Sequence, residues 1–421
     1  MRFDTIIIGG GLSSLVCGIT LQRAGKRCLI VSAGQNALHF SSGTFGLLGR
    51  LPDGAAVRKP LEALPSLPGE HPYSKIGVHK VAEYAAKVPG FFESCGVRLH
   101  SVVSDSSSVV NGFRLTPMGT FMSAWLAMED VTLLPSKDEL MWKNALIVNF
   151  HGFLDFNAGF IAEGLGKRGV STRVETVSIE DVESLRANPT EMRSVGIARM
   201  MGKESNWKEF ASKVRGLFSG EDLVIVPAVF GFNHGVVVGW LREMIPSEVM
   251  FVGTMPPSVP GIRAQILLKK AFEAAGGTFL SGDTALDPSF EGDLVSGIHT
   301  VNLGSIALSA DNYVLASGNL FGKGLEATPD SVIEPVFGLD TAFPTDRSSW
   351  CDEEFFARQE YAGFGVSCDD SFKALRDGRP LGNLYVAGSQ VGGCNPLYEG
   401  CGAGLAIMTA MSVADSIMEG R

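Results

Sequence analysis

The sequence predicts an α/β fold in which a second α/β domain is inserted into the first, and three observations carry that prediction. The chain opens as strand, glycine turn, helix, strand, and it closes in the same grammar. Between the ends lies a stretch of different texture, with its own strand-like runs and helical spacings. Parallel strands buried on both faces read as continuous apolar runs joined by helical crossovers, and both ends have that form.

Phe3 to Ile8 is a short β-branched run bounded by glycines, hence a buried strand. Leu12, Leu15, Val16 and Ile19 recur at helical spacing and Gly25 stands where a C-terminal cap belongs, so a helix is expected over 12–24. Cys28 to Val31 is the second strand, which completes a βαβ unit. Residues 49–75, rich in Pro and Gly without periodicity, read as loop; Val81 to Cys95 reads as helix, ended by Gly96.

From about Gly112 the texture changes. Strand-like runs at 143–150 and 223–230 alternate with helical spacings at 160–168 and 207–218, which predicts an inserted α/β domain over 112–252. The pattern returns near Pro256-Pro257-Ser258. A helix is expected over 262–275, capped by Gly276-Gly277, then a strand over 312–318 that ends in glycine. Asn383 to Ser389 is a strand and sharp turn, and Gly400-Cys401-Gly402-Ala403-Gly404 leads into a last helix to about Met418. The first domain is therefore discontinuous, formed by 1–111 and 253–421.

Composition narrows the function. A net charge of −10, with Lys and Arg scattered singly, lacks the basic stripe that nucleic acid requires, so no nucleic-acid partner is expected. The seven cysteines contain no C-x-x-C, which argues against a disulfide framework, a zinc site or an iron–sulfur cluster; no metal is expected, and the reducing cytosol fits best. Thr5 to Gln22 is uncharged and follows Arg2, yet Asp4, three glycines and the want of a cleavage site speak against a signal peptide. No other run reaches the ~18–20 apolar residues that span a bilayer, so no direct span is expected.

Gly9-Gly10-Gly11-Leu12-Ser13-Ser14 follows a strand and opens a helix, the context that gives a G-x-G-x-x-G type of turn its meaning. Gly9 permits the turn, Gly11 lets phosphate oxygens approach, and the first N–H groups of the helix at Leu12, Ser13 and Ser14 attract an anion. Ser14 stands where a third glycine is usual. At the end of the second strand, Ser32 replaces the carboxylate that normally accepts from an adenosine ribose. A neutral hydroxyl holds that ribose less well than a charged acceptor, which places FMN ahead of FAD as the cofactor, with FAD the alternative. In the loop around Leu38 to Gly46, Ser41, Ser42 and Gly43 offer backbone N–H groups to a flavin's polar edge, while His39 is a covalent flavin attachment, a proton carrier or a plain loop histidine.

The chain resembles a known family at the Gly9–Ser14 turn and at Ala37-Leu38-His39-Phe40-Ser41-Ser42-Gly43. The resemblance continues at Leu115-Thr116-Pro117-Met118-Gly119-Thr120, at Pro256-Pro257-Ser258-Val259-Pro260-Gly261-Ile262-Arg263, at Val314 to Gly318 and at Gly400 to Gly404. Together, in order and over essentially the whole length, these look like the B subunit of anaerobic glycerol-3-phosphate dehydrogenase. The resemblance implies a Rossmann-like flavin-binding domain with an inserted α/β domain, described with FMN, in an enzyme active with its partners. Those are a larger FAD-containing A subunit and a membrane-associated iron–sulfur C subunit. It implies oxidation of sn-glycerol 3-phosphate to dihydroxyacetone phosphate, with electrons passed toward quinone in fumarate or nitrate respiration. It also implies a cytoplasmic protein, peripheral on the inner face of the cell membrane through its complex.

Gly388-Ser389 resembles the Gly-Asp step that flavoproteins place near the ribityl chain, with serine for the acid, and Ser317-Gly318 forms a companion turn. Gly400, Gly402 and Ala403 would bring a helix N-terminus toward the flavin, where its dipole favours the anionic reduced ring. Alcohol oxidation wants a base, and a phosphorylated substrate wants cations; Arg263 and His234 are the candidates, beside His39. Cys394 and Cys401 read as buried structural thiols rather than a redox pair, because of their seven-residue spacing and the lack of a nearby base. The competing functions are a catalytic flavoprotein subunit, a non-catalytic electron-relay or structural subunit, and an NAD-dependent dehydrogenase. The last leaves the C-terminal turn and helix unused.

Overall fold

A computed structural model describes residues 1–103, 108–188, 190, 192–232 and 236–420. The chain divides into two compact units: 1–37, 46–91 and 267–421 form the first, and 38–45 with 92–266 form the second.

The first unit is built on a six-stranded sheet in the order Thr278–Ser281, Cys28–Ser32, Arg2–Ile8, Ser309–Leu315, Arg379–Val386, Lys373–Arg376. All neighbours pair in parallel except the last two strands, which are antiparallel. The central strand is wholly buried from Thr5 to Ile8, as its β-branched run requires. The first helix, Leu12–Arg23, is buried on nearly every side, and it packs along the C-terminal helix, Gly402–Glu419. Residues 49–75, expected as loop, contain two short helices, Pro60–Ala63 and Pro72–Ile76. Each begins on proline, whose fixed φ and missing N–H suit the first helical position.

The second unit has a four-stranded parallel sheet in the order Glu248–Val252, Leu223–Pro227, Asn144–Phe150, Ser171–Val177. Helices Ala158–Gly166 and Glu204–Leu217 supply much of its apolar core, through Ile161, Leu165, Trp207, Phe210 and Val214. The sequence pattern places the bounds of this domain at 112 and 252, whereas the packed unit takes in more chain at both ends. Thr44–Phe45 and Leu99–His100 both pair with Leu126–Met128, and Phe45 meets Phe92 edge to face at 5.1 Å. At the other end, a Cβ on Gly261 would collide with the carbonyl oxygens of Leu38 and Ser41. The Pro256–Arg263 segment therefore packs directly on the His39 loop, and Ser258 N–H donates to the His39 carbonyl at 2.8 Å. These two motifs lie over 200 residues apart in sequence, and the fold joins them.

Candidate functional site

In the first unit, the turn after the first strand is shaped by what each glycine meets. Gly9 has φ +116 and lies against the Ala316 carbonyl, so a side chain is barred twice. Gly10 lies against the Ser32 hydroxyl. A Cβ on Gly11 would meet only the Asn36 Cβ, at 4.0 Å, so a side chain there would enter open space rather than chain. The helix that follows starts on Gly11 with no side-chain cap and no acidic residue in its first turn. Its first N–H groups lack the usual partner, and the dipole adds positive character, which suits a phosphate.

Ser13 and Ser14 are both buried. The Ser13 hydroxyl fills the space beside Gly388, whose N–H donates to Thr409 Oγ1 at 2.8 Å. Ser14 Oγ is buried and has no hydrogen-bond partner. Ser32 is 3% exposed, and its hydroxyl donates to the Gly34 carbonyl at 3.3 Å, so it serves the loop behind Gly10. Asn36, which no sequence motif marks, donates through Nδ2 to the Gly10 carbonyl at 2.7 Å and thereby holds the turn.

The companion turns are held by another residue that sequence reasoning misses. Gln390 is fully buried; its Oε1 accepts from Ser317 N–H at 2.9 Å and from the Ser317 hydroxyl at 2.8 Å, and its Nε2 donates to the Gly324 carbonyl. Ser317 is therefore committed to Gln390, while Gly318 lies within reach of the Ser389 hydroxyl. The C-terminal helix starts on Cys401, again with no side-chain cap and no acid in its first turn. Gly402 is exposed, and a Cβ there would meet only Pro396, at 3.9 Å; Gly400 stands against Gly49. Gly404 is the packed one: a Cβ there would meet the Tyr73 hydroxyl at 2.5 Å, Leu47 Cα at 2.8 Å and the Gly46 carbonyl at 2.9 Å. Ala403 between them is partly buried.

The second unit holds the other candidates. Ser42 Oγ pairs with Thr44 Oγ1 at 2.8 Å, Gly43 N–H leans on Ser41 Oγ at 3.4 Å, and Gly43 lies against Pro260. These three residues build the loop. Burial holds His39 below the ordinary histidine value, so the ring is neutral, and its Nδ1 is buried with no hydrogen-bond partner. Arg263 was expected as a cation for a phosphorylated substrate, yet its side chain is 2% exposed. Its Nη1 pairs with Asp130 Oδ2 at 2.7 Å and its Nη2 donates to the Gly231 carbonyl at 2.7 Å. A charge already matched in the interior is not offered to substrate. His234 lies outside the described residues.

Two open glycines, each at an uncapped helix start, and an unpartnered buried serine hydroxyl make the first unit fit a phosphate-bearing flavin. The fold and these turns define a flavin-binding oxidoreductase. The family described as "FAD binding domain" matches residues 4–405, and the chain belongs to it. The chain is 39% identical to the B subunit of anaerobic glycerol-3-phosphate dehydrogenase from Yersinia enterocolitica over 99% of this chain and 98% of the relative. It is also 39% identical to the protein of the same name from Pectobacterium carotovorum, over 100% and 99%. It is a member of that B-subunit family, a flavin-dependent oxidoreductase. Among solved structures, 3-ketosteroid Δ1-dehydrogenase from Sterolibacterium denitrificans aligns over 100% of both chains at 10% identity with a TM-score of 0.44, too slight a likeness to bear on the site. Among the described residues no helix is long and apolar enough to cross a membrane.

Proposed function

We propose that this chain is the flavin-binding subunit of a quinone-linked anaerobic glycerol-3-phosphate dehydrogenase. In this reading it takes part in oxidising sn-glycerol 3-phosphate to dihydroxyacetone phosphate, in a complex with an A subunit that carries FAD and a membrane-associated iron–sulfur C subunit. The observation that carries the reading is the 39% identity to proteins of that name over nearly the full length of both chains. Through its partners the chain would sit at the inner face of the membrane.

A bound flavin supplies hydride acceptance. The chain's part is to seat the phosphate at the uncapped start of Leu12–Arg23, beside Gly11, and to turn the start of Gly402–Glu419 toward the ring that gains charge. FAD is the flavin we propose. The matching family carries that name and spans both ends of the chain, and Ser32, on which the preference for FMN rested, is turned into its own loop. Chromatography of the flavin released by denaturation decides between them, and FMN alone would reverse the choice.

Among the candidates His39 is the one whose chemistry suits a base, because it is neutral and its Nδ1 has no partner to displace. The engagement of Arg263 by Asp130 favours a second reading, in which the chain relays electrons while the A subunit performs the alcohol oxidation. Turnover of glycerol 3-phosphate with an artificial acceptor separates the two. In the second reading the A subunit turns over alone with the acceptor; in the first, it does so only after this chain is added.

A further inference from the structure

Four side chains with polar or nucleophilic ends converge in the interior of the first unit, one of them Cys401, on which the C-terminal helix starts. His71 and Cys401 are fully buried, Glu399 is 1% exposed and Cys394 is 8% exposed. The two sulfurs and a His71 ring nitrogen all lie within 4.8 Å of one another. Glu399 Oε2 stands 3.1 Å from His71 Nε2, and its Oε1 accepts from Asn395 N–H at 2.8 Å. The turn from Asn395 to Glu399, closed by Glu399 N–H to the Asn395 carbonyl, folds the chain back so that cysteines seven residues apart face each other. The nearby base that the local sequence lacks comes from His71, 330 residues before Cys401.

Two ordinary explanations fail on the geometry. At rest Cys401 is a thiol, held well above its ordinary value by the hydrogen bond with Cys394 and by burial; unlike an inert structural thiol it has beside it a second sulfur and an imidazole whose hydrogen bond lowers that value. A metal site would use one histidine nitrogen as ligand and the other as donor. Here His71 Nδ1 accepts from Tyr73 N–H at 3.0 Å, so in the neutral ring the proton is on Nε2, directed at Glu399. That nitrogen has no lone pair left for a metal.

We infer that Cys394 and Cys401 form a redox-active pair that cycles between dithiol and disulfide by exchanging two electrons with the flavin of the same unit. The inference rests on the flavin reading of the helix starts, since Cys401 immediately precedes Gly402, the exposed first residue of the C-terminal helix. In the oxidising direction both S–H bonds break and one S–S bond forms. The electron pair passes to oxidised flavin together with one proton, and the other proton goes to the Glu399 carboxylate. Between loss of the Cys401 proton and formation of the S–S bond, His71 Nε2–H stabilises the transient thiolate. In reverse, the reduced flavin returns the pair together with its proton and Glu399 returns the other.

The test is an anaerobic reductive titration of the air-oxidised, flavin-loaded full chain, with flavin content read separately from its absorbance. The wild type should take up twice as many reducing equivalents per flavin as Cys394→Ser, because a disulfide adds a second two-electron couple. Alkylation of the denatured protein followed by mass spectrometry should find Cys394 and Cys401 protected in the oxidised wild type and both labelled after reduction. That measurement needs no variant, so it stands even if a substitution misfolds. Equal electron uptake in wild type and Cys394→Ser, or full labelling of both cysteines in the oxidised protein, overturns the inference. So does stoichiometric zinc or iron that Cys394→Ser loses. A chain that holds no flavin fails at the absorbance step, which removes the flavin reading and with it the electron partner, whatever the alkylation shows.

Discussion

The glycine turns of the first unit and the His39 loop with the Pro256–Arg263 segment in the second carry the same residue types to opposite ends. In the first, Gly11 and Gly402 stand at helix starts where a side chain would meet almost nothing of the protein. In the second, Gly43 and Gly261 are filled in by Pro260, Leu38 and Ser41, and the neighbouring Arg263 is paired with Asp130. A glycine-rich motif therefore has two physical meanings. Where a Cβ would strike the chain, glycine serves packing; where it would strike nothing at an uncapped helix start, glycine leaves room for a ligand.

The largest expected effect breaks the comparison on the side of the second unit. If Arg263 is structural, Arg263→Met leaves Asp130 buried without its partner and should cost about 3–5 kcal/mol in urea unfolding. Replacing both, as Arg263→Met with Asp130→Leu, should recover much of that loss. A single variant that keeps wild-type stability but raises KM for glycerol 3-phosphate would return Arg263 to the substrate.

Within one helix the comparison sharpens, because Gly402 and Gly404 are two residues apart and differ in what surrounds them. Gly404→Val forces the Tyr73 hydroxyl, Leu47 and Gly46 apart and should destabilise the fold by about 1–3 kcal/mol, as overpacking does. Gly402→Val should leave thermal stability of the flavin-free chain unchanged and abolish flavin binding, since its branched side chain projects where the ligand approaches. Flavin occupancy and circular dichroism on both variants decide it. Full occupancy in Gly402→Val would place the flavin elsewhere.

Ser389→Ala should weaken flavin binding by about 1 kcal/mol, the worth of a neutral hydrogen bond, with no change in unfolding. Equilibrium titration of the flavin-free chain measures it. An unchanged Kd would leave Ser389 as a turn residue, like Ser317, whose hydroxyl belongs to Gln390.

These contrasts also mark how far the sequence could be read. The first turn was legible because its signals are local: a β-branched strand, glycines and a helical period lie within twenty residues. The missed helices at Pro60 and Pro72 left a local signal too, proline at a first helical position, which the surrounding glycines and prolines obscured. What stayed hidden depends on distant pairings. Asp130 neutralises Arg263 from 133 residues away, Gln390 answers Ser317 from 73, and Glu399 meets His71 from 328. No spacing rule connects such residues, because the sheet order and the inserted unit decide which of them meet. The same limit explains the domain bounds, since Thr44–Phe45 pairs in the second unit with a strand more than eighty residues later.

The smallest expected effect concerns His39 and is one of sign. Well above pH 6.5 the imidazole is neutral in both the folded and the unfolded chain, so it makes no pH-dependent contribution there. As the pH falls below 6.5, the unfolded chain takes up the proton first, because burial holds the folded-state value below the ordinary one. Folding stability should therefore decline through that window and level off once the pH passes below the folded value. His39→Gln should flatten this part of the profile without altering stability at pH 8. Nuclear magnetic resonance titration of the His39 ring, run beside chemical unfolding at each pH, tests the account. A folded-state midpoint above 6.5 would mean that a carboxylate partner outweighs burial, and that His39 is held as a cation rather than kept neutral to accept a proton.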